Sequence, residues 1–168
     1  MRRFHRIAML LVLALFLMGG CSSSFEEEKD AARVEVEKVF QKAPKEANKE
    51  NEDIRYYLPF GYEIEKETPN NIIFKNGTKT YILFYNLQED AKSKVVLDAT
   101  LQQKEFDVKE QFKHGDKLGY LLVKKNSNQL NEVITGIGGV KLTSEVKTNN
   151  LKSEAEIMMQ IVNSVQFK

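Results

Sequence analysis

The sequence predicts an α+β fold, an antiparallel sheet of about 6–7 strands packed by an N-terminal and a C-terminal helix. Three observations carry this. Short β-branched and aromatic runs follow one another from residue 62 to 146, separated by turn residues such as Asn76-Gly77 and Gly138-Gly139. Apolar residues at helical spacing close the chain, with Ala155, Met158, Met159, Val162 and Val165 at i, i+3, i+4, i+7 and i+10. A second, thinner helical stripe (Ala32, Val36, Val39/Phe40, Ala43) precedes all the strands. Strands grouped together with helices at the ends describe a sheet and helix layers around one core.

The first twenty residues belong to another category. Arg2, Arg3 and Arg6 are followed by the apolar run Ile7 to Met18, and no acid occurs before Glu26. A basic start, a short apolar stretch and small residues are the layout of a secretory signal. A bilayer-spanning helix needs about 20 apolar residues, so this run is short for that role. Leu17-Met18-Gly19-Gly20-Cys21 resembles the lipobox of bacterial lipoproteins, with Met18 where leucine is commonest. The resemblance implies cleavage between Gly20 and Cys21 and diacylglyceryl attachment at the Cys21 sulfur. It further implies a membrane-anchored, extracytoplasmic protein, and two or more acyl chains are what a stable anchor takes. On this reading the chain divides into a signal peptide (1–20), a leash, helical stalk and charged linker (21–53), and one globular domain (54–168).

Removing residues 1–20 leaves 148 of the 168 residues, enough for one domain. The mature chain carries 22 basic against 24 acidic residues, a net charge of −2. That balance lacks the concentrated basic face that nucleic acid binding requires. Cys21 is the single cysteine. Once lipidated it leaves no thiol for a disulfide, a nucleophile or a metal ligand. Twenty lysines against two arginines in the mature part, with many asparagines, point weakly to an AT-rich, Gram-positive source.

The elements follow in order. Cys21 to Ser24 forms a polar leash, and Ser24 with Glu27 matches a capping box. Glu26, Glu27 and Glu28 suit the positive end of the helix dipole, and Pro44 ends the helix. The helix is expected to dock on the domain or to stand as a semi-independent stalk, and Lys45 to Asp53 reads as a linker. Tyr62 to Glu67 alternates as a half-buried strand. Ile72 to Phe74 and Tyr81 to Tyr85 form a hairpin around Asn76-Gly77. The continuous apolar run of Tyr81–Tyr85 predicts a strand covered on both faces. Ala91 to Leu101 fits either a short helix or a strand, and helix is preferred. Phe106, Val108 and Phe112 share one face of a strand. Leu118–Val123, Glu132–Ile137 and Val140–Val146 complete the sheet, with turns at 114–117, 126–128 and 138–139. Ser153 and Glu156 match a second capping box at the start of the last helix. Residues 54–168, through YYLPFGYEIE, NIIFKN…YILFYN and AEIMMQIVNSVQF, are similar in element order to the PsbP-like family of small extracytoplasmic domains. That likeness implies an accessory or binding role and no particular reaction.

Motifs for chemistry are sparse. His114 is the one histidine left after cleavage and sits in a His-Gly-Asp turn. A catalytic base needs a positioned partner, and none is apparent in the sequence. Gly136-Ile137-Gly138-Gly139 lacks the third glycine of a dinucleotide fingerprint, since Lys141 stands there. Asn76-Gly77-Thr78 fits a glycosylation sequon, though a hairpin turn accounts for it. No catalytic residue, metal ligand or cofactor is expected. Tyr56, Tyr57, Phe60 and Tyr62, with Tyr81, Phe84 and Tyr85, are either core aromatics or a surface for a ligand or partner. The expected role is a non-catalytic binding or accessory module with an extracytoplasmic protein partner. The alternative is a carrier for a lipid or other small ligand held between the sheet and the C-terminal helix.

Overall fold

A computed structural model of the chain describes residues 24–126 and 130–168. The expected lipobox, with Gly20 and Cys21, and most of the 126–128 turn lie outside the described residues. Ser24 caps helix α1 (Phe25–Gln41) as the sequence predicts. The Glu27 N–H donates to Ser24 Oγ at 3.2 Å, and the Ser24 N–H donates to Glu27 Oε2 at 2.9 Å. The Ser24 N–H foremost, then the Ser24 hydroxyl, holds the Glu27 carboxyl below its ordinary pKa.

The main sheet contains β3 (Glu63–Thr68), β4 (Asn71–Asn76), β5 (Lys79–Tyr85), β6 (Val108–His114), β7 (Lys117–Lys125), β8 (Leu130–Ile137) and β9 (Val140–Lys147). These seven strands run antiparallel in the order β3-β4-β5-β9-β8-β7-β6. A smaller sheet sets β2 (Ile54–Tyr56) between β1 (Lys49–Glu50) and β10 (Gln166–Phe167). The charged linker expected at 45–53 therefore contains an edge strand. Helix α2 (Val95–Gln103) follows β5, and helix α3 (Leu151–Ser164) follows β9 through a single 3-10 turn at Thr148–Asn150.

The inner face of the sheet is covered from β4 to β6. Ala32, Val36 and Phe40 of α1 and Leu151, Ala155, Met158, Met159 and Ile161 of α3 are buried against Leu83, Leu121, Leu142 and Val146. Ile54 and Tyr56 of β2 extend this layer, and the Tyr56 ring lies 5.6 Å from that of Phe74. Each fully buried side chain of this kind contributes about 1.5–3 kcal/mol. The helix expected as a stalk or a docked element is docked, and it forms a layer of the domain. Asn163 of α3 donates from Nδ2 to the Val39 and Lys42 carbonyls, both at 3.1 Å, and so satisfies the end of α1.

The outer face carries a smaller cluster, Leu97, Phe106, Leu118, Tyr120, Leu122 and Ile134, under α2. Two close approaches fix it. A Cβ on Gly136 would lie 2.0 Å from Tyr120 Cζ, so the Tyr120 ring occupies the glycine's empty side. Gly138, at φ +53, turns β8 into β9 where a Cβ would meet the Asp90 carbonyl at 2.0 Å.

Several expectations are corrected. All six residues of β3 are exposed, because β3 is an edge strand with nothing packed on it; only Tyr62, just before it, is buried. Tyr81–Tyr85 is covered on one face only, leaving Ile82 43% exposed. β7 is covered on both faces: its Leu121 and Val123 face the main core and its Leu118, Tyr120 and Leu122 face α2. Phe106 precedes β6 and joins the outer cluster, away from Val108 and Phe112. The second capping box is absent: α3 starts at Leu151, and the Ser153 hydroxyl donates to the Asn150 carbonyl at 3.1 Å from within the first turn.

Candidate functional site: the uncovered half of the outer face

The four aromatic residues that the sequence leaves as core or surface are divided between the two. Tyr56 is fully buried, and Tyr62 stacks at 5.0 Å on Tyr81 in the core. Tyr57 is half-buried, and its backbone N–H donates to Ser164 Oγ at 2.8 Å. Phe60 alone stands fully in solvent. His114 is exposed at the end of β6, its ring edge-on to Phe40 at 6.4 Å. Among the described residues, no group of three or more His, Cys, Asp or Glu side chains is placed to hold a metal ion. No described helix is long and apolar enough to cross a membrane.

What the fold leaves open is half of the outer sheet face. Helix α2 covers β7 and part of β8, while the outward residues of β4, β5 and β9 are exposed or half-exposed. Alternation in these strands puts Ile73, Ile82 and Phe84 on that face, with Ile73 opposite Ile82 and Ile82 opposite Thr143. A concavity of about 730 Å³ opens at one end of this face, lined by Thr80, Ile82, Leu130, Glu132, Thr143 and Glu145 among others; it borders Ile82 and lies beyond Phe84 and Lys141.

The wall beside α2 is charged. Lys141 lies directly opposite Phe84 in the ladder, its Nζ 5.8 Å from the ring centroid. The same ammonium donates to Thr100 Oγ1 at 2.9 Å, and the Thr100 hydroxyl donates to the Val96 carbonyl at 2.7 Å. Lys104 pairs with Glu132 at 2.6 and 2.8 Å. Burial, with Lys104 adding to it and Glu132 opposing, lowers the Lys141 pKa from the ordinary lysine value. Two ammonium groups and one carboxylate thus share this wall, and among the described residues no carboxylate forms an ion pair with Lys141.

A second polar group sits on the inner side. Glu154 is 8% exposed; its Oε2 accepts from the Tyr81 hydroxyl at 2.7 Å, and its Oε1 pairs with Lys79. Burial foremost, then hydrogen bonding with Tyr62 and Glu154, raises the Tyr81 phenol pKa. Sequence reading missed Glu154, although its spacing with Met158 and Val162 (i, i+4, i+8) places it in the buried stripe of α3. It missed Lys141 for a different reason: in β9 a lysine at an outward position is unremarkable until α2 is known to lean over it. This surface offers an apolar floor, hydroxyl groups and an ammonium with no carboxylate paired to it among the described residues. The chain matches no family model and no curated protein.

Proposed function

We propose that this chain is a membrane-anchored extracytoplasmic lipoprotein whose domain is a non-catalytic binding or accessory module. The observation that carries the binding role is the half-covered sheet. Exposed Ile82, flanked by half-buried Ile73 and Phe84, lies on a domain whose other face is packed by two helices. An open apolar strip of this kind on a soluble domain marks an interaction surface. The lipobox resemblance supports the anchor, and the PsbP-like resemblance supports an accessory role.

Two experiments test this. Cells expressing the full chain, grown with an alkyne-bearing palmitate, should yield a labelled protein, and Cys21→Ala should abolish the label. Persistence of the label in Cys21→Ala would overturn the anchor. A photo-crosslinking amino acid at Ile82 should capture one discrete protein partner, and a smear indistinguishable from the same probe at exposed Glu65 would overturn the surface assignment. The carrier reading has its own support, though not where the sequence placed it. Met158 and Met159 of α3 are fully packed in the main core, whereas the outer face has a concavity and an unpaired cation.

A further inference from the structure

We infer that the uncovered outer face binds a long-chain carboxylate, with its head on Lys141 and its chain along Phe84, Ile82 and Ile73. The inference rests on the reading of this face as the binding surface, and it names the ligand class.

The assignment follows from charge and shape together. An ammonium half withdrawn from water costs free energy unless it is paired. Lys141 has one hydroxyl and one ring face as partners, and the nearest carboxylate, Glu132, is already held by Lys104 at 2.6 Å. The wall therefore has one positive charge in excess, which a single negative charge would complete. Beside that charge the apolar residues form a bent path. Phe84 lies across the ladder from Lys141, Ile82 is two residues along β5 on the same face, and Ile73 lies opposite Ile82. One strand repeat of about 6.6–6.8 Å separates Phe84 from Ile82, and Ile73 lies one strand spacing of about 4.8 Å to the side, so the path accommodates an acyl chain that turns at Ile82. Glu145 stands opposite Glu132 toward the far end of β9, away from Lys141, and disfavours a second negative charge there. One anionic head and one neutral apolar tail match this pattern. A phosphodiester bearing two tails fits a strip one residue wide less well.

The test uses the full-length chain in isolated membranes, which excludes metabolic incorporation of the probe. A photoreactive palmitate carrying a diazirine near its methyl end is added, the sample is irradiated, and the adducts are mapped by mass spectrometry. Adducts are expected on the β4 and β5 peptides that contain Ile73 and Ile82. Lys141→Met should lower their yield at least fivefold, while Lys141→Arg, which keeps the charge, should retain most of it. An unchanged melting temperature for both variants separates loss of binding from loss of fold. Equal labelling of Lys141→Met, or adducts confined to α1 beside the membrane tether, would overturn the inference. A discrete protein crosslink from Ile82 without carboxylate labelling would overturn it too, yet leave the surface assignment standing.

Discussion

On the inner face of the sheet, α1, α3 and β2 bury one continuous cluster that runs from Ala32 to Val162. On the outer face, the nine-residue α2 buries six residues and stops, leaving Ile82 43% exposed. The same strands supply both faces, so composition does not separate them. The covering elements do: long helices close one face, and a short helix closes part of the other. The inner face is where stability resides, and the outer face is where the sheet remains available to another molecule.

The broadest way to separate the two layers is alkaline pH. Burial raises the phenol pKa values of Tyr56, Tyr62, Tyr81 and Tyr85 in the inner layer and of Tyr120 in the outer one. A raised native pKa contributes stability that is full below the unfolded value, about 10, and is lost as pH rises through the native values. Denaturant midpoints should therefore hold between pH 7 and 9 and fall steeply above 10. Tyr120→Phe should remove only a small part of that fall, because four of the five phenols belong to the inner layer.

Leu121→Ala, at a fully buried inner position, should cost about 2–5 kcal/mol in urea unfolding. A loss under 1 kcal/mol would show that the inner layer is less tightly packed than its burial implies. Gly136→Ala drives a methyl group into the Tyr120 ring under α2 and should cost about 1–3 kcal/mol. Its near-ultraviolet circular dichroism should change while the inner layer keeps its hydrogen-exchange protection. Tyr56→Phe removes a buried hydroxyl that has no hydrogen-bond partner among the described residues. It should leave stability unchanged or raise it by about 1 kcal/mol, since no bond is lost with the hydroxyl. Ile82→Ser on the open face should change stability by no more than about 0.5 kcal/mol. A larger loss would mean that the strip is packed in solution, contrary to its exposure.

The local features were legible in the sequence. Ser24 and Glu27 announce the start of α1, Asn76-Gly77 and Gly138-Gly139 announce their hairpins, and the apolar spacing of 155–162 describes α3. What misled was coverage, which depends on distant elements. Tyr81–Tyr85 and Leu118–Val123 are both apolar runs, yet only the second lies under α2. Tyr62–Glu67 alternates like a half-buried strand, yet its place at the edge leaves β3 bare. Ser153 and Glu156 have the right spacing for a cap, but the 3-10 turn at Thr148–Asn150 carries the chain into the helix three residues earlier. The open face itself was not legible, because a gap in cover has no local signature. Lys141 became informative only once Thr100 and Phe84 were seen around it.

The bond from Asn163 to the end of α1 has a consequence for how the chain comes together. Helix α1 has its last carbonyls capped by a residue about 120 positions later, and β2 waits for β10 at Gln166–Phe167. Such closures between distant parts of a chain slow folding, because the entropy of a long loop is lost before the contact forms. Until α3 emerges, Val36 and Phe40 have no completed surface to pack on. A chain truncated before residue 151 would thus present its N-terminal helix as a loose amphipathic segment, open to proteases, and the last eighteen residues act as the latch on the first.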